Sequence, residues 1–183
     1  MLNANPPDAD LTRITRFSRA MEFVLVAVLI LLPVGLGLYA FVFSAHLASD
    51  PALSGLNVRP GPLGLPWSLA AFLVLLLTSS PSLYATNAAR LMFAGFRKGD
   101  VFTSRAAARI KQIALGLLAQ AFVAPLGGIA LSAVLSGAGK ADGLVLSISS
   151  NQLWIALFAL IFLGIARVMR AAAHLAEDHA AIV

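Results

Sequence analysis

A chain of 183 residues that is 60% hydrophobic and 11% charged, with mean hydropathy +0.89, carries more apolar surface than one small soluble core can hide. Lipid must solvate the excess, and the formal charge of +5 lies beside apolar runs, where it meets anionic headgroups and not nucleic acid. With no cysteine, disulfides, thiolate metal sites and cysteine nucleophiles are all excluded.

Residues 1–20 read as a cytoplasmic N-terminal tail, disordered over residues 1–10, that ends in Arg13, Arg16 and Arg19. The apolar stretch after them exceeds the ~7–15 residues of a cleaved signal peptide, so residues 21–44 are read as a retained first span. The loop that follows holds Pro51, Pro60, Pro62 and Pro66 with Gly55, Gly61 and Gly64, a composition that predicts a turn-rich lid. Trp67 then stands where an interfacial aromatic belongs.

The second span, residues 67–93, places Thr78, Ser79, Ser80 and Ser82 around Pro81. Proline removes one donor and frees the carbonyl of Leu77, which a nearby hydroxyl can satisfy. One reading is a kinked, tightly packed helix. The other is a small polar cavity, to which Asn87 and Gln120 would add their amides. Next comes a cytoplasmic elbow over residues 94–108, containing GFRKGDVFTSR at 95–105. Gly99 and Asp100 suit a tight turn, and Thr103 suits the N-cap of a helix starting at Ser104. Arg105 and Arg109 share one helical face, while Arg97 and Lys98 lie on the other arm. These four cations either anchor the hairpin to anionic lipid or dock a cytoplasmic protein.

The third span, residues 109–135, contains Pro125, Gly127 and Gly128, and the first contains Pro33, Gly35 and Gly37. Such sites make a flexible bundle or close helix contacts through small residues. The third loop runs through Gly137, Gly139, Lys140 and Gly143 into residues 144–150, whose end alternates apolar and small polar residues as a strand does. Residues 57–59 could pair with that stretch in a short extracellular β-pairing. The fourth span, residues 152–169, continues as a helix into a cytoplasmic tail, residues 170–183.

Lys and Arg divide among the five polar segments as 3, 1, 6, 1 and 2, so eleven of thirteen lie on one side. The positive-inside rule then puts both termini in the cytoplasm. No ionisable residue falls in the middle of a span, which removes the usual signature of proton or ion coupling. Glu22 sits at the inner rim beside Arg19, where an interfacial ion pair is expected. His174 and His179 are five apart and miss the spacing of a zinc protease helix, and His46 has no partner for a haem. His174, Glu177 and Asp178 are at most a weak metal cluster beside an ordinary solvated helix end. No catalytic constellation, metal site or cofactor site is expected, and the chain reads as a non-enzyme.

The elbow and tail carry a resemblance. The Gly99-x-x-Phe102-Thr103 step before a basic helix is similar to that of the DUF2975 family of bacterial four-span membrane proteins of unknown function. The tail AHLAEDHAAIV at 173–183 resembles the family's ending, an acidic helix closing on a short apolar tip. Ser104, Arg105 and Ala106 depart from the acidic or Asn residues that often follow the Thr there. The resemblance implies a partner, a small helix-turn-helix transcription regulator held at the inner face. It would meet the elbow at Arg97, Lys98, Arg105 and Arg109 and the tail at Glu177, Asp178, Ile182 and Val183.

The expected fold is therefore an all-α membrane protein: an antiparallel four-helix transmembrane bundle with both termini inside and a small extracellular cap. The leading function is a non-enzymatic regulatory or sensory protein of the bacterial inner membrane. It would contact anionic headgroups and a cytoplasmic DNA-binding regulator without binding nucleic acid directly. The rival is a small-molecule or lipid-binding membrane protein, or a transporter, that uses the cavity around Thr78, Ser79, Ser80, Ser82, Asn87 and Gln120. A subunit of a larger membrane assembly is a third reading.

Overall fold

The computed structural model describes residues 7–42, 53, 56–59, 61–98 and 103–180, with the side chains of 7–14 and 174–180 left aside. Four helices account for most of them: α1 (Pro7–Phe41), α2 (Leu65–Phe96), α3 (Ser104–Gly137) and α4 (Ser150–Ala180). Each contains a segment long and apolar enough to cross a bilayer, so this is a multi-pass membrane protein. α1 begins at Pro7, inside the stretch read as a tail, with a residue that suits a first helical turn.

Local chemistry accounts for the helix starts. Pro66 lies in the first turn of α2, where a missing N–H is harmless, and the carbonyl of Gly64 accepts from Trp67 and Ser68. Thr103 caps α3, its Oγ1 accepting from the Ala106 N–H at 3.2 Å. At α4 the side-chain oxygen of Gln152 accepts from the Ser149 N–H at 2.6 Å, the Gln half of a capping box, while the Gln152 N–H donates to the Ser149 backbone carbonyl. Pro33, Pro81 and Pro125 all lie inside continuous helices. The carbonyl of Leu77 freed by Pro81 accepts from the Ser80 hydroxyl at 2.7 Å, the remedy the sequence offers.

The helices pack in chain order, α1 on α2, α2 on α3 and α3 on α4. Contacts at opposite ends fix antiparallel neighbours. Phe17 meets Phe93 and Phe41 meets Phe72 across α1 and α2. Across α2 and α3, Gly116 lies against Ala85, Gly127 against Thr78 and Gly137 under Trp67. A Cβ on Gly116 would come within 2.8 Å of the Ala85 Cβ and 2.9 Å of the Pro81 carbonyl, so the two backbones meet where only glycine fits. In α1, by contrast, Gly35 has nothing nearby and Gly37 has only ordinary contact with Phe72.

The interior is built mainly from small residues. Ala71, Ala85, Ala88, Ala107, Ala114, Ala121, Ala159 and Ala166 are buried, while Phe23, Leu31, Leu77, Phe122, Leu153 and Val168 face outward. That inversion suits a lipid solvent, which attracts large apolar side chains as well as a protein core does. α3 is the central helix: 22% of its most apolar window is buried, against 6% for α1.

Larger apolar side chains are buried at the end that carries loops one and three, the cap end. Leu53, Ala71, Leu131, Leu135 and Ala141 form a cluster there, with Tyr39, Leu56, Val58 and Val145 packed around it. The β-pairing of the cap is a single antiparallel bridge between Val58 and Ala141, with the Arg59 N–H donating to the Lys140 carbonyl at 2.7 Å. The loops are those expected, but residues 144–149 form no strand; the Val145 N–H donates instead to the buried Ser132 hydroxyl at 3.2 Å. Gly61 has φ +139°, and a side chain there would run into the Lys140 ammonium, so glycine serves both backbone and space.

Candidate functional site

At the opposite end, the basic end, the elbow cations separate into two groups. Arg97 ends α2, and its Nη1 lies 3.1 Å from Glu22 Oε2 of α1, with the two side chains 40% and 22% exposed. The oxygen makes no aligned hydrogen bond, so the contact is a charge contact. Phe17, Phe93 and Phe96 stack edge to face beside it and hold α1 against α2. Glu22 forms an ion pair as expected, with Arg97 in place of Arg19. That choice follows from the register of α1 on α2, which brings the start of one span to the end of the other.

Lys98, Arg105 and Arg109 form the second group. With Thr103, Gln112 and Met92 they line a groove of about 470 Å³ between α2 and α3. Its shape has a local cause. The Thr103 cap starts α3 so that residues 105 and 109, one turn apart, present their side chains along one wall. Arg109 is held there by a 2.8 Å hydrogen bond from its Nη1 to Gln112 Oε1. The last turn of α2 supplies the other wall through Leu91, Gly95 and Lys98. Among the described side chains the only acids are Glu22 and Asp142, each facing an arginine, so no described carboxylate compensates this groove. The groove is thus rimmed by three cations and also lined by the apolar Leu91 and Met92.

The tail positions are placed only in part. Glu177 and Asp178 lie on α4, with side chains outside the described set, and Ile182 and Val183 lie outside the described residues. The elbow turn at Gly99 and Asp100 lies outside them as well. Among the described residues no group of three or more His, Asp or Glu could hold a metal.

The candidate cavity residues are placed along α2 and α3. Thr78 Oγ1 donates to the Val74 carbonyl at 2.7 Å and its side chain presses on Gly127. Ser80 is engaged with Leu77. Ser79, Ser82 and Asn87 are half-buried on α2. Gln120, halfway along α3, keeps a buried Oε1 with no hydrogen-bond partner. None of the six lines the α2–α3 groove.

A second groove, of about 330 Å³, lies between α3 and α4, lined by Lys111, Leu115, Leu163, Ala166, Arg167 and Arg170. In the sequence these cations are read toward topology alone. The signal was spacing: Arg167 and Arg170 share a helical face, as do Lys111 and Leu115. Which faces meet, however, depends on the packing of α4 on α3.

Comparison with curated proteins and with solved structures yields no match. The sequence model of the DUF2975 family, described as a protein family of unknown function, matches residues 49–183, which takes in everything from loop one through α2, α3 and α4. With about three quarters of the chain matched and four helices long and apolar enough to cross a membrane, this four-span membrane protein belongs to the DUF2975 family.

Proposed function

We propose that this is a non-enzymatic regulatory or sensory protein of a bacterial inner membrane, with both termini in the cytoplasm. It docks a cytoplasmic partner at its basic end. The observation that carries the reading is the α2–α3 groove, where Lys98, Arg105 and Arg109 converge without a described carboxylate. A partner with an acidic segment fits that charge, and Met92 and Leu91 give an apolar side chain of the partner somewhere to rest. The partner we propose is a helix-turn-helix transcription regulator, held by a protein surface other than its DNA-reading face, which is itself basic. The α4 extension, with Glu177 and Asp178 beyond the last span, supplies the second contact. Arg97 serves a different purpose, clamping α1 to α2 through Glu22.

The test is affinity purification of the full-length protein from membranes, followed by identification of any regulator that accompanies it. The triple variant Lys98→Ala, Arg105→Ala, Arg109→Ala and removal of residues 174–183 should each lower recovery, and raised salt should do the same. Recovery that is indifferent to both changes would show that the regulator, if any, binds elsewhere.

A further inference from the structure

We infer that the α3–α4 groove is a discrete binding site for an anionic phospholipid. Three observations converge on that occupant. Lys111, Arg167 and Arg170 rim one groove of about 330 Å³, and none of them has a described ionic partner. Leu115 and Leu163, each about one helical turn deeper into the span, line the same groove, and Ala166, only 3% exposed, forms its floor. The position along the bundle is that of the membrane boundary: after Lys111 no charged residue occurs in α3, and before Arg167 none occurs in α4.

These features match a phospholipid in order. A phosphate diester meets two guanidinium groups and an ammonium, and Arg in particular recognises phosphate through paired donors. Its acyl chain then runs inward over Leu115 and Leu163. Ala166, small and buried, lines the groove without adding a side chain that would fill it. A soluble phosphate would use the rim and leave the leucines idle. A protein helix, about 10 Å across, is too thick for a groove of about 330 Å³. The site is separate from the α2–α3 groove, so it does not depend on the docking reading above.

The experiment uses the full-length protein in nanodiscs of equal parts phosphatidylglycerol and phosphatidylcholine, extracted gently, with the retained lipid measured by native mass spectrometry. Phosphatidylglycerol should be retained over phosphatidylcholine. Lys111→Gln, Arg167→Gln, Arg170→Gln should lower that retention about tenfold or more, at roughly one increment of headgroup attraction per cation. Leu163→Trp, which enlarges a side chain lining the groove and leaves every charge in place, should also lower it. It guards against misfolding of the triple variant. Lys98→Gln, Arg105→Gln, Arg109→Gln removes the same charge from the other groove and should retain the lipid. Equal loss from both triple variants would overturn the site, as would equal retention of the two lipids by the unaltered protein. Complete displacement by sn-glycerol 3-phosphate would overturn the lipid assignment in favour of a soluble phosphate.

Discussion

The two ends of the bundle are built on different principles. The cap end buries mass: Leu131 and Leu135 are 2% and 1% exposed, and Ser132 is fully buried between them and loop three. Its loops are tied down by hydrogen bonds, from the Arg59 N–H to the Lys140 carbonyl, from the Val145 N–H to the Ser132 hydroxyl and from the Ser136 hydroxyl to the Gly143 carbonyl. At the basic end the fully buried side chains among the described residues are small, Ser18 and Ala107, and two cation-rimmed grooves open between the helices. A closed end ties the helices together through burial and hydrogen bonds, and an open, charged end is the one on which the proposed docking rests. In a membrane protein the two tasks separate readily, because lipid contributes little net force between the helices in the middle.

The sharpest way to break this contrast is to hollow the closed end. Leu135→Ala removes a side chain with almost no exposure, and the cavity should cost about 2–5 kcal/mol, read as a lowered thermal midpoint in a fixed detergent. Leu77→Ala, at a position 73% exposed toward lipid, should move the midpoint far less. If the two variants fall together, the cap core does not hold the bundle. Ser132→Ala comes next. It deprives the Val145 N–H of its acceptor at a buried site, for a loss of about 1–3 kcal/mol. Amide exchange at residues 144–146 should speed up before the helices melt, which places the loss in the cap.

Much of the scaffold is legible in sequence because its rules are local. The four spans follow from length and hydropathy, the Thr103 cap and the Ser104 start from N-cap preference, and the rescue of the Leu77 carbonyl from a hydroxyl beside Pro81. Tertiary register is not legible in that way. Residues 144–150 alternate like a strand, yet the Ser149 N–H is taken by the Gln152 side chain at the start of α4 and Val145 answers to a serine on α3. The Ser-x-x-Gln spacing at 149–152 is a competing local signal for a helix start. At the candidate site the cations themselves are visible in sequence. Their division into an α1–α2 clamp at Arg97, one groove with Arg105 and another with Lys111 requires knowing which helix faces pack.

Changes to the charges should matter least to stability, and they sharpen the contrast by their location. Glu22→Gln breaks the clamp to Arg97, a partly exposed pair worth about 0.2–1 kcal/mol. Stability should hardly move. The freed Arg97, however, adds a cation beside the α2–α3 groove, so regulator recovery at low salt should rise, and a fall would mean that the clamp positions the groove.

Asp142→Asn should have the smallest effect of all. Arg59 Nη2 and Asp142 Oδ2 lie 3.4 Å apart, but the side chains are 69% and 75% exposed, and water screens such a pair almost completely. The same two loops are already joined by the Arg59 N–H to the Lys140 carbonyl and by the Val58–Ala141 bridge over the leucine cluster. A thermal midpoint indistinguishable from the unaltered protein, at low and at high salt, is therefore expected. A drop as large as that of Ser132→Ala would mean that charge and not burial closes the cap. The two ends would then differ in the sign of their partners alone, and the division between a holding end and a presenting end would fail.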